Sequence, residues 1–426
     1  MSFRDYLNSL KSSSLLVEIN EKVNLVGEVT EYLQAHDGKA VMFNNIMESQ
    51  FPLVGNLLSS REQLKFILGG DKKFHDSFRD SLLNPINPKV CNQSLTFDNK
   101  FSSNLLSLPI PQFFEQEGGK YLTSGIIFAN FPGTDNPNLS IHRIMIIDNQ
   151  RGAIRLVPRD LHNIFNHNSE KGEDTPIAIV VGYHPALALA ASSPLIKGES
   201  ELNIANSLLR GNLEVVRTPK YGIKVPTDVE FVLEGKILAG QSISEGPYVD
   251  ITGTLDEMRK QPIVEVEQIY HRHDPIFQTI LAAHNEHYIL MGFPRETKIY
   301  SEVASVVSKV HDVYLTPEGS GWLSANISIS TEKEEDAKLA AKAAFEAHPS
   351  LKWCTIVDAD IDVWNREEVE WARITRAGEG DIEIINKVRG SSLDPAKNIE
   401  DKTSIRVIID ATKKKDREQS GYEKIS

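Results

Sequence analysis

The stretch Ile141-His-Arg-Ile-Met-Ile-Ile-Asp148 decides how the middle of this 426-residue chain is read. It is short, rich in β-branched residues and partly alternating, which marks a strand rather than a helix. Runs of the same texture surround it: Gly125–Asn130, Ala153–Val157, Ile177–Val181, Leu213–Arg217, Glu230–Glu234 and Ile263–Tyr270. Turn residues separate them. Many short strands with few helices imply a β-rich central domain over 106–295, closed or partly closed to protect its edges.

Outward from this block the texture changes. Residues 1–105 mix a helical pattern at Phe3–Leu10, a strand at Ala40–Asn44 and a helix at Arg61–Leu68 stopped by Gly69-Gly70, the signature of a small α/β region. Residues 296–426 alternate again. Helices are expected at Tyr300–Val307, Glu332–Ala347 and Asn365–Ala372, and strands at His311–Leu315, Leu323–Ile329 and Trp353–Val357. That is an α/β layer, with a charged tail from Lys413 expected to fray. The fold class is therefore α+β / α/β multidomain, in three parts.

Composition narrows the function. Lys and Arg number 46 against 59 Asp and Glu, a formal charge of −13, which disfavours nucleic acid and anionic membrane as partners. The two cysteines, Cys91 and Cys354, are far apart, so neither a disulfide framework nor a thiolate zinc site is expected. The most apolar window, Pro176–Ile196, is interrupted by Gly182, Tyr183, His184, Pro185 and Pro194. It reads as a strand, a Pro-started helix near Pro185–Ala191 and a loop, not a membrane span. Met1–Lys11 has no signal-peptide core. The expectation is a soluble, cytoplasmic protein.

Chemistry concentrates in a few places. In Asn138-Leu-Ser-Ile-His-Arg143 a neutral oxygen donor and a planar cationic fork bracket the start of a strand; the fork suits a carboxylate. The bland alternative is a loop Asn and a surface Arg. In Glu245-Gly-Pro-Tyr-Val-Asp250 a Gly-Pro turn brings two carboxylates close, and paired acids can supply a general acid near neutral pH; an ordinary turn is the stronger reading of these residues alone. Asp358-Ala-Asp-Ile-Asp362 imitates the start of a calcium loop, but Val363 stands where that loop needs glycine. His271 and His273 share a strand face without a third ligand near in sequence. His284 and His287 read as surface or packing histidines.

Together these segments resemble the UbiD decarboxylase family. The likeness runs in order from about Gly118 to Thr412. It takes in Asn138–Arg143, Glu201 with Leu208-Leu-Arg-Gly and Glu214-Val-Val-Arg217, Glu230-Phe-Val-Leu-Glu-Gly235, Glu245–Asp250, His271-Arg-His-Asp-Pro-Ile276, Val357–Asp362 and Asp410-Ala-Thr412. The resemblance implies an N-terminal α/β region, a central flavin-binding split β-barrel and a C-terminal α/β domain used in homo-oligomerisation. It implies prenylated FMN held through its phosphate by Mn2+, with K+ nearby, and a flavin prenyltransferase as the partner that supplies the cofactor.

Carried over by position, the metal ligands are Asn138, His162 and Glu201, with His167 a rival to His162. Cofactor contacts are Asn138, Ile141, Arg143, Leu161, His162, Glu201 and Lys352, and Arg376 supports the cation site. Arg143, Glu245 and Asp250 form the catalytic set: Arg143 anchors the substrate carboxylate, Asp250 supplies the proton and Glu245 fixes the geometry. The second acid is Asp, with a shorter reach than the Glu of other members, and Leu161 stands where some relatives carry a polar residue.

The implied activity is loss of CO2 from an α,β-unsaturated acid. Ser140–Arg143 with Arg155 and Arg159 resembles the compact archaeal-type members, which implies trans-anhydromevalonate 5-phosphate as substrate and isopentenyl phosphate as product. His142, Arg155 or Arg159 are candidates to line a basic pocket for the phosphate. A 4-hydroxy-3-polyprenylbenzoate is the alternative substrate. A non-catalytic flavin-binding scaffold and a metal hydrolase built on His271 and His273 are the rival classes.

Overall fold

The computed structural model describes residues 1–69, 74–194 and 199–414, with only the main chain of Ser102. Gly70 of the expected Gly-Gly stop, the last two residues of the apolar window (195–196) and the tail from 415 lie outside the described residues. The chain forms two compact units, Met1–Leu290 and Met291–Ser426.

The first unit begins with a helix, Phe3–Ser12, that Ser2 and Asp5 start by a reciprocal capping box. Arg4 on this helix donates to both oxygens of Glu230 (2.9 and 2.8 Å), whose side chain is wholly buried. A four-stranded sheet follows in the order Leu16–Val23, Ala40–Ile46, Leu53–Gly55 and Phe277–Gln278. The helix Arg61–Leu68 is capped by Ser60 and Gln63 and ends at Gly69, whose φ of +78° favours glycine.

The centre of this unit is a nine-stranded sheet, antiparallel at every pairing. Its path runs Tyr121–Leu122, Ile144–Ile146, Arg151–Ile154, Arg259–His271, Phe231–Glu245, Thr175–Val181, Ile126–Asn130, Pro137–Ile141, with Asn99–Ser102 also on Arg259–His271. No pairing joins the two ends of that path among the described residues, so the sheet is not a closed barrel. Its spine is the pair of long strands Phe231–Glu245 and Arg259–His271, which match from Phe231↔His271 to Glu245↔Arg259 with two register shifts. At Gly235 a Cβ would stand 2.1 Å from the Glu265 carbonyl, so only glycine permits the approach. One sheet face buries Ile127, Ile177, Ile179, Leu233, Val264 and Ile269 in the main core, which fixes the register, because a one-residue slip would turn these side chains to the other face.

The second unit holds a five-stranded sheet in the order Lys309–Leu315, Ser324–Ser330, Trp353–Asp358, Thr403–Ala411, Ile382–Arg389. The three central strands are parallel and the edges antiparallel. The Ala-rich helix Asp336–Ala347 packs Ala340, Ala341 and Ala344 with Ile327, Ile356 and Ile408. Both cysteines are free, and Cys354 is buried in this core. The sequence pattern anticipates most of these elements, but the strands Ile382–Arg389 and Thr403–Ala411 are additions, and the expected Tyr300–Val307 helix is the end of a longer one, Asn285–Val303, that carries Pro294 inside it. Among the described residues no helix is long and apolar enough to cross a membrane.

Candidate active site

Arg143 stands in the break between the strands Pro137–Ile141 and Ile144–Ile146. The strand Phe231–Glu245 ends on Glu245, and Gly246 (φ +107°) turns the chain. A short hairpin follows, in which Tyr248 pairs with Asp256 and Val249 with Leu255. Its turn runs from Asp250 to Thr254 and is closed by Asp250 N–H to the Thr254 carbonyl (3.0 Å). Asp250 thus opens the turn and Asp256 lies on the returning strand.

All three acids meet Arg143. Its Nε donates to Glu245 Oε1 (2.9 Å) and its Nη2 to Glu245 Oε2 (3.1 Å), a bidentate fork. Nη1 donates to Asp250 Oδ2 (3.0 Å), and Nη2 also donates to Asp256 Oδ2 (2.9 Å). The Arg143 side chain is 9% exposed, Glu245 0%, Asp250 25% and Asp256 16%. The guanidinium lies 4.3 Å from the Tyr248 ring centroid, and Tyr121 packs on Tyr248 at 4.6 Å. Burial works against the Arg143 cation, but Glu245 and Asp250 together outweigh it and raise its pKa. Burial would raise the Asp256 carboxyl; Arg143 and Arg259 hold it low instead.

Around this set sit further groups, of which sequence reading missed Asp256, Arg259 and Glu117. Asp256 also receives Arg259 Nη1 on Oδ1 (2.7 Å), and Arg155 Nε stands 4.0 Å from its Oδ2. Glu117, 5% exposed, accepts from the N–H groups of Phe113 (3.2 Å), Phe114 (3.3 Å) and Val249 (3.4 Å). Burial pushes its carboxyl up to about 7. Gly118 N–H donates to the Pro247 carbonyl (2.8 Å), and a Cβ on Gly118 would stand 2.3 Å from the Gly246 oxygen. His287, read from sequence as surface or packing, is half-buried within the fields of Asp250 and Arg143; burial lowers its pKa and Asp250 opposes that. Its Nδ1 accepts from Ala283 N–H (3.3 Å), so the neutral ring carries its proton on Nε2. His142 is tied between the Arg155 carbonyl (2.8 Å) and Ser140 Oγ (3.0 Å), and burial lowers it to about 4. It is neutral and engaged, which removes it from the candidates for a phosphate pocket. Arg159 is exposed.

A second cluster forms where Glu201 opens the helix Glu201–Leu208 behind its cap, Ser200. Asn138 Nδ2 donates to Glu201 Oε1 (3.1 Å) and Leu139 N–H to Oε2 (3.2 Å). Both side chains are 3% exposed. Burial pushes Glu201 up to about 7, and the charge of Asp160 adds to the rise. Among the described residues neither acid has a cationic partner, so this buried anionic corner with an amide oxygen suits a hard divalent cation.

His162 is not hydrogen-bonded to either residue; its Nδ1 faces Asn166 Nδ2 (3.2 Å). It lies two residues beyond Asp160, at the end of the helix Asp160–Ser169 whose charge reaches Glu201. His167 lies at the other end, against Lys171 Nζ (2.9 Å). Among the described residues no three His, Cys, Asp or Glu side chains are already gathered as a metal-ligand set. Ile141 is half-buried, and Leu161, 1% exposed, turns its side chain into the core.

The other candidates belong to other elements of the chain. Lys352 is in the second unit, its Nζ on Asp394 Oδ2 (3.0 Å). Arg376, also there, is buried on Asp360 (2.7 Å) and Asp358 (3.4 Å). His271 packs among Phe51, Phe101 and Phe231, and His273 is 84% exposed beside Asp274, so the hydrolase reading has no site.

Three family models match the chain: the 3-octaprenyl-4-hydroxybenzoate carboxy-lyase (UbiD) N-terminal domain over 7–80, its Rift-related domain over 87–285 and its C-terminal domain over 288–411. Anhydromevalonate phosphate decarboxylase of Methanothermobacter thermautotrophicus is 38% identical over 96% of both chains. The Aeropyrum pernix protein of that name is 39% identical over 88% of this chain and 84% of its own. The UbiD-class enzyme HmfF from Pelotomaculum thermopropionicum in complex with FMN superposes with a TM-score of 0.95 at 31% identity, covering 100% of this chain and 97% of its own. An evolved dimeric form of that enzyme, in complex with prFMN, gives 0.91 at 30% identity over 100% and 96%.

Proposed function

The chain belongs to the UbiD family of decarboxylases, and from that premise we propose that it releases CO2 from trans-anhydromevalonate 5-phosphate to give isopentenyl phosphate. The observation that carries the reading is the fork of Arg143, nearly buried and shared by Glu245, Asp250 and Asp256. The substrate follows from the archaeal relatives of that name, which match 96% and 88% of the chain.

Prenylated FMN, when bound, supplies a transient acceptor for the electron pair that CO2 leaves behind. Asn138, Glu201 and His162 would hold Mn2+ for the cofactor, with K+ nearby; His162 is preferred to His167 because it shares its helix end with Asp160. Ile141 and the main chain at Leu161 border the flavin. A flavin prenyltransferase supplies it, and the enzyme works as a homo-oligomer in the cytoplasm.

Arg143 orients the substrate carboxylate. A fourth anion beside one guanidinium favours uptake of a proton by the acids, because like charges this close resist joint ionisation. Asp250 is the most exposed of the three, and Glu245 is locked in the fork. Asp250 therefore gives its proton to the carbon from which CO2 departs, and the electrons of the broken C–C bond end in the new C–H bond. Glu245 and Asp256 keep the guanidinium in place.

The test is expression with a flavin prenyltransferase and Mn2+, followed by flavin absorbance and assay of CO2 release. The phosphorylated acid should be consumed and a 4-hydroxy-3-polyprenylbenzoate not. Turnover of the benzoate alone would reverse the substrate assignment. Bound flavin with neither acid consumed would favour a scaffold.

A further inference from the structure

Arg155 is a cation whose one acid partner among the described residues stands 4.0 Å away and is shared with two other arginines. Its N–H bonds to the Arg143 carbonyl (3.1 Å), continuing the antiparallel pairing Ile154↔Ile144. Residues directly opposite in such a ladder project to the same face, so Arg155 stands beside Arg143. Its side chain is 24% exposed, and among the described residues its guanidinium makes no hydrogen bond. The nearest acid, Asp256 at 4.0 Å, is already engaged by Arg143 (2.9 Å) and Arg259 (2.7 Å). Burial and the charges of Arg259 and Arg143 disfavour the Arg155 cation, and Asp256 and Glu245 offset them only in part. Arg259 is paired through Nη1 with Asp256, and its Nη2 has only Glu257 at 3.9 Å.

We infer that Arg155, with Arg259, is the anion subsite that takes the phosphate monoester of the substrate, and that it sets the preference for a phosphorylated over a non-phosphorylated acid. The inference rests on the decarboxylase reading of the same site. Two forked cations suit a dianionic phosphate. Arg143 Nη2 and Arg155 Nε lie 2.9 and 4.0 Å from one oxygen of Asp256, hence no more than about 7 Å apart. A short acid with a carboxylate at one end and a phosphate a few carbons away matches that span. A polyprenyl benzoate offers no second anion to Arg155. The other phosphate available, that of the flavin, is assigned to the separate corner of Asn138 and Glu201.

The experiment compares the holoenzyme with Arg155→Gln and Arg155→Lys. The readout is the ratio of kcat/KM for the phosphorylated acid to that for its dephosphorylated analogue. The ratio should fall at least about tenfold in Arg155→Gln, the effect of one lost charge-assisted hydrogen bond. It should recover partly in Arg155→Lys, with bound flavin per chain at the wild-type level throughout. An equal loss on both acids would make Arg155 a support for Arg143 and overturn the inference. A fall in flavin content would assign the cation to the cofactor phosphate and overturn it too. Calorimetric titration of the holoprotein with 3-methylbutyl phosphate decides the subsite without turnover. Affinity should weaken at least about tenfold in Arg155→Gln, and unchanged affinity would refute the subsite. If the wild type consumed neither acid, the decarboxylase reading would fail while this titration still judged the subsite.

Discussion

Replacing Asp256 by Asn separates its contribution from those of Glu245 and Asp250. Asn keeps the shape and one carbonyl oxygen but removes the charge. Asp256 receives Arg143 Nη2 at 2.9 Å and Arg259 Nη1 at 2.7 Å. The Arg259 pair is 38% exposed on the arginine side and contributes little, as surface pairs do. The Arg143 bond is nearly buried and is of the charge-assisted kind, roughly 1.5–3 kcal/mol. Arg143 keeps its fork to Glu245 and its bond to Asp250, so only the lower end is expected. About 1.5 kcal/mol is about a tenfold fall in kcat/KM. Glu245→Gln breaks two bonds at a fully buried acid and places an amide N–H₂ against the fork. Loss of one partner of a buried pair costs about 3–5 kcal/mol, at least about a hundredfold in rate. The assay is kcat/KM for CO2 release in both variants, with flavin content and thermal unfolding as controls. Wild-type rates in Asp256→Asn, or a loss equal to that in Glu245→Gln, would refute the role of Asp256 as a graded support of Arg143.

Glu201→Ala should lower bound flavin and bound metal at least about tenfold while the protein stays folded, since Ser200 still caps the helix; absorbance and metal analysis per chain check it. Gly118→Ala puts a methyl group 2.3 Å from the Gly246 oxygen. It should cost about 1–3 kcal/mol in denaturant unfolding and reduce activity further by moving the loop that carries Glu245 and Asp250. Glu117 has a folded pKa of about 7 against an ordinary 4.5. The folded state therefore binds the extra proton, and stability is lost as pH rises from about 4.5 to about 7, then levels off. Glu117→Gln lacks this loss, so its stability relative to wild type should rise with pH across that window, by up to about 3 kcal/mol; unfolding at pH 5 and pH 8 measures it.

Local pattern made the long elements and the central strand block legible. Phe3–Ser12, Arg61–Leu68 and Pro185–Ala191 begin at a cap or a proline, and each announces itself within a few residues. The strand Ile382–Arg389 did not, because its residues are mostly exposed and the alternation of Ile382 and Ile384 breaks at Ile385. The helix Asn285–Val303 was truncated in reading because Pro294 lacks the N–H that helix interiors use. At the site, Glu245 and Asp250 were read as close because a Gly-Pro turn joins them. Their shared partner is Arg143, more than a hundred residues away. Asp256 was missed for a related reason. Leu255-Asp-Glu257 looks like a solvated turn, and only the hairpin register that sets Asp256 opposite Tyr248 turns it to the guanidinium. The proposed ligand set rests on resemblance, since no spacing in the sequence links Asn138 with Glu201.

The charge balance at Arg143 explains why this arrangement belongs to an enzyme rather than a scaffold. Glu245, Asp250 and Asp256 contribute three negative charges and Arg143, Arg155 and Arg259 three positive ones, but they are unevenly distributed. Arg143 donates hydrogen bonds to all three acids, while Arg155 reaches only Asp256, at 4.0 Å. A scaffold would gain stability by pairing them evenly or by replacing the set with apolar residues, because buried ion pairs rarely repay their desolvation. The imbalance has a use if a substrate with two anionic ends completes it. Its phosphate end satisfies Arg155 and Arg259. Its carboxylate end crowds the acids at Arg143 and draws a proton onto Asp250, where the departing CO2 requires one. Substrate binding and proton uptake are then a single event, and an acid with only one anionic end should trigger the second without the full benefit of the first.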